Sequence, residues 1–168
     1  FAAQLRSPDF AATVEKTLKD FDLPAEALEL EVTENIILRN EGATISHLAK
    51  LRATGVGIAF DDFGTGYASL TMLKEIAITR LKVDRSFVRE IQWCAKDQAI
   101  VDAIARMAKG CELTVIAEGI ETEEQAELMR NYAVEGQGYL YGRPMTATAF
   151  ETRYGIGRAE TVAMEMAG

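Results

Sequence analysis

Val56-Gly57-Ile58-Ala59-Phe60-Asp61-Asp62-Phe63-Gly64-Thr65-Gly66-Tyr67 is the stretch that decides the fold. A nearly unbroken apolar run ends in two adjacent carboxylates and then enters a loop punctuated by glycines. An apolar run this short, bounded by turn residues, reads as a strand buried on both faces, as in a parallel sheet. The same pattern recurs on either side. Leu28–Val32 carries Glu31 near its end. Ile78–Val83 ends in Lys82 with Asp84 beyond, and Leu113–Ala117 is closed by Glu118. Gly138–Tyr141 is a last short strand candidate, with Gln137 beside it.

Helical spacing fills the intervals. Pro8–Asp20 carries Phe10, Val14 and Leu18, and Asn35–Ala53 is stopped by Gly55. Ala68–Ile76 gives a short helix, and Ala95–Lys109 ends at Gly110. Thr122-Glu123-Glu124-Gln125 opens a helix to Asn131 with a capping box, and the tail from Ala147 is helical. Strands alternating with helices predict an α/β fold on a parallel sheet. No repeat or linker divides the chain, so residues 1–168 are expected to form one domain.

In such a sheet every strand ends on the same edge, where βα barrels and doubly wound sheets build their sites. Glu31, Asp61, Asp62, Glu118 and Lys82 are therefore expected to converge there. Each acid alone could be a helix cap or a solvated loop residue. Together, several lie inside or against the apolar runs, where unpaired carboxylates are costly unless cations neutralise them. All-oxygen donors favour Mg²⁺ or Mn²⁺.

Composition closes off other chemistries. The chain has 168 residues, 18 Lys+Arg against 26 Asp+Glu, and a net charge of −8. That balance disfavours a nucleic-acid polymer as partner. His47, the only histidine, lies mid-helix and reads as structural, which removes histidine-based triads and zinc sites. Gly64-Thr65-Gly66 lacks the third glycine of a dinucleotide fingerprint. Cys94 and Cys111 read as small core residues in a reduced, cytoplasmic setting. No apolar run approaches the ~20 residues of a membrane span, so no membrane contact is expected from this segment.

Five motifs carry a resemblance. They are Glu31-Val32-Thr33-Glu34, Asp61 to Leu70, Leu81-Lys82-Val83-Asp84-Arg85-Ser86-Phe87-Val88, Ala117-Glu118-Gly119-Ile120-Glu121-Thr122, and Gln137-Gly138-Tyr139-Leu140-Tyr141-Gly142-Arg143-Pro144. In this order they resemble the EAL domain family, bacterial phosphodiesterases that open cyclic di-GMP to linear pGpG on a modified TIM barrel. The resemblance implies a TIM-like (β/α) barrel, a homodimer, and a two-metal site of Mg²⁺ or Mn²⁺. It gives Glu31 and Asp61 to the first ion, and Asp61, Asp62 and Glu118 to the second. Lys82, Glu118 and Asp61 would be catalytic, with Lys82 on the attacking water or the charge developing on phosphate. Asp62, Gln137 and Pro144 would meet substrate. Glu34 would order the loop Phe63–Ser69, and Glu121 would support the same rim.

The sequence also departs from the family. The Glu-Ala-Leu motif of the first strand and the Asn ligand of the second are not in it, so the chain is expected to be an N-terminally incomplete domain. Ala68 stands where the family usually has Ser, and the stretch from Thr122 to Gln137 is one residue short. Two other readings stay open: a receptor that holds cyclic di-GMP without cutting it, and a dimerisation or interaction module.

Overall fold

Alternation along β2 (Gly57–Phe63) sends Ile58 and Phe60 to one side of the sheet and Ala59 to the other. Its neighbours repeat that division. In the computed structural model, which describes residues 2–5, 7, 9–33, 36, 41–66 and 70–155, five strands lie in sequential order, all parallel. They are β1 (Glu29–Thr33), β2, β3 (Arg80–Val83), β4 (Thr114–Ala117) and β5 (Glu135–Gly136). Val32, Ile58, Phe60, Leu81, Val83 and Ala117 are buried on the outward face. They join one apolar core with residues of the covering helices α3 (Glu41–Ala53), α6 (Ala95–Gly110) and α7 (Glu123–Asn131). Full burial of each Val, Leu, Ile or Phe side chain among them contributes about 1.5–3 kcal/mol. Helices α1 (Ala2–Leu5), α2 (Phe10–Asp20), α4 (Leu70–Glu75), α5 (Arg85–Val88) and α8 (Ala147–Tyr154), with a 3-10 turn at Ala25–Ala27, complete the described elements.

The opposite face is concave. Arg80, on the middle strand, places its guanidinium 3.1 Å from Glu29 on β1 and 3.4 Å from Glu135 on β5. One side chain can reach both outer strands only if the sheet curls around it. Sequential parallel order with this curl is the arc of a TIM-like (β/α) barrel.

The expected elements are present over the described residues with four corrections; residues 35 and 37–40 of the expected helix Asn35–Ala53, and 68–69 of Ala68–Ile76, lie outside the described residues. β2 does not stop at Phe60 but runs through Asp61 and Asp62 to Phe63. Its pairing with β3 shifts register between Phe60 and Phe63. The last strand is Glu135–Gly136, not Gly138–Tyr141. A Cβ on Gly138 would lie 2.1 Å from the Ile120 carbonyl oxygen, and Tyr141 N–H donates to the Gly138 carbonyl, so the chain turns there. Gly110 remains helical; the left-handed residue that ends α6 is Glu112, with φ +58°. Cys111 is exposed at that helix end and Cys94 only half-buried, so neither is a core thiol. The capping box at Thr122 and Gln125 forms as the sequence predicts, and Gly55 ends α3 with φ +101°. His47 is structural: its Nδ1 lies 2.7 Å from the Leu5 carbonyl oxygen, tying α1 to α3.

Candidate metal centre

Inward-facing residues differ in kind from the core. Register aligns Glu31, Ala59, Arg80 and Thr114 in one row, and Thr33 with Asp61 in the next. Lys82, two residues beyond Arg80, shares the inward face and is 4% exposed. Its Nζ lies 2.7 Å from Glu31 Oε1, 2.9 Å from Asp61 Oδ1 and 2.5 Å from Glu118 Oε1. Of the four acids expected at this edge, Glu31, Asp61 and Glu118 ion-pair with Lys82 and Asp62 does not.

Adjacent residues of a regular strand point to opposite faces, so Asp61 and Asp62 should diverge. They do not. The register shift marks a bulge, and Asp62 takes a left-handed conformation with φ +56°. Such a conformation is costly for a residue with a Cβ, and it recurs where function holds it in place. Asp61, Asp62 and Glu118 consequently bring one carboxylate oxygen each within 4.8 Å of the others.

The electrostatics follow from this crowding. Burial raises the Asp62 carboxyl above its ordinary range, and the negative charges of Asp61, Asp84 and Glu31 push the same way against Lys82. Burial alone would lower Lys82, but its close carboxylates from Glu118, Glu31 and Asp61 outweigh that and raise it. Lys82 stays protonated throughout the neutral range. Its one positive charge faces four carboxylates, so 1 − 4 leaves the rim at −3 when all are ionised. Asp61 Oδ1 is buried and, although paired by charge with Lys82, has no hydrogen-bond partner of good geometry. A buried, under-satisfied carboxylate in an excess of negative charge, among oxygen donors only, fits a hard divalent cation.

Beyond Glu118 the rim opens into a cleft of about 890 Å³. Gln137, Glu121, Asp84, Arg85 and Tyr139 line it. Gln137 is held by its backbone, its N–H donating to the Ala117 carbonyl and its carbonyl accepting from Ile120 N–H. Glu121 N–H donates to Gln125 Oε1 at 2.8 Å, and Gln125 Nε2 donates to the Arg89 carbonyl. Gln125 thus ties two rim loops together, beyond the capping role its sequence spacing gives it. Pro144 is exposed and does not line the cleft. Asp84 caps α5, its Oδ1 accepting from Ser86 N–H, so for this acid the plain capping role holds. Glu34 and residues 67–69 of the loop Phe63–Ser69 lie outside the described residues. Sequence reading passed over Arg80 and Glu29; the spacing Glu29/Glu31 and Arg80/Lys82 is the signal that could have found them.

An EAL domain family model matches residues 2–144. The cyclic di-GMP phosphodiesterase NbdA of Pseudomonas aeruginosa is 42% identical over 151 residues, 89% of this chain and 19% of the relative. Among solved structures, the PaMucR phosphodiesterase in complex with c-di-GMP is 40% identical with a TM-score of 0.81, covering 89% of this chain and 61% of that one. A manganese and c-di-GMP complex of BlrP1 from Klebsiella pneumoniae is 32% identical with a TM-score of 0.77, covering 82% of this chain and 36% of that one. The chain spans about a fifth to a quarter of the length of the curated relatives it matches.

Proposed function

This chain belongs to the EAL domain family, and from that premise we propose that it is part of the EAL domain of a metal-dependent phosphodiesterase that hydrolyses cyclic di-GMP to linear pGpG. The carrying observation is the convergence of Asp61, Asp62 and Glu118 within 4.8 Å, beside a buried Lys82. Glu31, Asp61, Asp62 and Glu118 would hold Mg²⁺ or Mn²⁺, with Asp61 shared. When bound, two such ions supply Lewis acidity and a water acidic enough to attack a phosphodiester.

The residues of the chain do the rest. Lys82 holds a fixed positive charge where the non-bridging phosphate oxygens gain negative charge, and a buried donor needs no reorganisation at that moment. Hydrolysis breaks one P–O3′ bond. The water oxygen stays on phosphorus, and a proton ends on the released 3′ oxygen. Gln137, on the cleft, contacts the nucleotide, while Glu34 orders the loop Phe63–Ser69 and Glu121 supports the rim. The protein acts as a homodimer in bacterial cytoplasmic signalling.

The test is direct. The complete domain incubated with cyclic di-GMP and Mg²⁺ or Mn²⁺ should yield pGpG on chromatography, and EDTA should stop it. Binding of cyclic di-GMP with no product in either metal would overturn the enzyme reading in favour of a receptor. Sedimentation as a monomer would remove the homodimer.

A further inference from the structure

A second charged layer lies beneath the rim, and nothing in the proposed hydrolysis uses it. Arg80 pairs with Glu29 and Glu135, and its Nε–H donates to Thr114 Oγ1 at 3.1 Å. Arg80 and Lys82 are two apart on β3, as Glu29 and Glu31 are on β1, so each pair shares the inward face. Two residues of strand span about 7 Å. A flexible lysine therefore has acids both at the rim and in the layer below.

We propose that Arg80 is a positioning residue: by neutralising Glu29 and Glu135 it keeps Lys82 directed at the rim carboxylates. Three observations carry this. The guanidinium is the only cation among the described residues that ion-pairs with Glu29 or Glu135. Arginine's planar fork suits two acids on opposite strands, whereas an ammonium makes point contacts. Gly57 and Ala59 are the inward residues of β2 beside these layers, too small to wall one charged layer off from the other. Without Arg80, two uncompensated carboxylates would draw Lys82 away from Asp61 and Glu118. This inference rests on the phosphodiesterase reading for its kinetic arm only.

The experiment uses Arg80→Gln and the triple variant Arg80→Gln/Glu29→Gln/Glu135→Gln. In Arg80→Gln, kcat for cyclic di-GMP should fall about 10- to 100-fold with KM nearly unchanged, the cost of a misplaced catalytic group. Mn²⁺ measured by calorimetry without nucleotide should bind more tightly, because Lys82 no longer competes for the rim oxygens. The triple variant lacks the competing acids, so both values should return towards wild type. A merely structural arginine predicts the opposite: weaker Mn²⁺ binding in Arg80→Gln and no recovery in the triple variant. Either result would overturn the proposal. Should Arg80→Gln fail to fold, Glu29→Gln/Glu135→Gln with Arg80 kept should leave kcat near wild type, and a large loss there would also overturn it. If the wild-type protein cleaves no cyclic di-GMP, the phosphodiesterase reading falls, while the Mn²⁺ titrations still decide the role of Arg80.

Discussion

The two faces of one sheet are built from alternate residues of the same five strands, and they obey different rules. Outward, Val32, Ile58, Phe60, Leu81 and Val83 are wholly buried against helices. Inward, the same strands present Glu29, Glu31, Asp61, Arg80, Lys82 and Glu135, which pair with one another across the arc. TIM barrels commonly fill their interior with branched apolar side chains. Here the apolar burden falls on the outer face, and the inner face is left to charge. The lesson is a division of labour at a period of two: a substitution on one face should cost stability, and on the other it should cost chemistry.

The largest expected effects separate the two faces cleanly. In the complete domain, Asp61→Asn should reduce hydrolysis to background, since one ligand serves both proposed ions, with little loss of Tm. Lys82→Ala should lower kcat on the order of 10²–10³-fold with a smaller change in KM, as removal of one preorganised donor does. Turnover at the wild-type rate in either variant would break the inward half of the comparison. A fall in Tm with kcat intact would assign Lys82 a structural role.

On the outward face, Phe60→Ala should destabilise by about 3–5 kcal/mol through lost transfer energy and the cavity left behind. Phe60 is wholly buried, with its ring edge-on to Phe63 at 5.8 Å. The activity of the molecules that stay folded should be close to wild type. Urea denaturation beside an active-site titration would measure both, and a kcat loss as large as that of Lys82→Ala would erase the distinction between faces.

How much of this was legible follows the same division. The outward face was readable because apolar runs and helical periodicity are local signals, and the capping box at Thr122 is a four-residue pattern. The convergence of Glu31, Asp61, Glu118 and Lys82 was readable because strand ends share an edge in any parallel sheet. The bulge at Asp61-Asp62 was not, since it exists only in the mismatch between β2 and β3. The inward placement of Glu29 and Arg80 follows from their spacing to Glu31 and Lys82, but their meeting with one another and with Glu135 was not readable, because the three are distant in sequence and meet only when the sheet curls. The turn at 138–141 misled for a related reason: its residues suit a strand, but Gly138 is pressed against a backbone from another loop.

Gly138 tests the seam where the faces meet. Its missing Cβ leaves room for the Ile120 backbone, which receives and donates hydrogen bonds there: Leu140 N–H to its carbonyl at 3.1 Å, and its own N–H to Gln137 at 3.0 Å. Gly138→Ala should force these two loops apart and destabilise by about 1–3 kcal/mol, the usual cost of overpacking. Because Gln137 adjoins, KM for cyclic di-GMP should rise as well. An alanine variant with wild-type Tm would mean that the close approach is not a constraint.

The smallest effect belongs to Asp84, the one strand-end acid that the structure assigns to capping. Its carboxylate accepts from Ser86 N–H at 3.0 Å. Burial pushes its pKa up, but hydrogen bonds from Ser86 and Arg85, with the Arg85 charge, outweigh that and hold it below the ordinary carboxylate range. A depressed carboxylate stabilises the fold above its unfolded pKa, about 3.9, and that contribution is lost as pH falls through the folded value. Asp84→Ala should therefore cost about 1 kcal/mol near neutral pH, as the loss of a cap does. The Tm gap between wild type and variant should narrow as pH drops below the ordinary aspartate range. A gap that stays constant down to that pH would show that packing, not the charged cap, accounts for the loss. A loss of kcat as deep as that of Asp61→Asn would move Asp84 from the scaffold to the site.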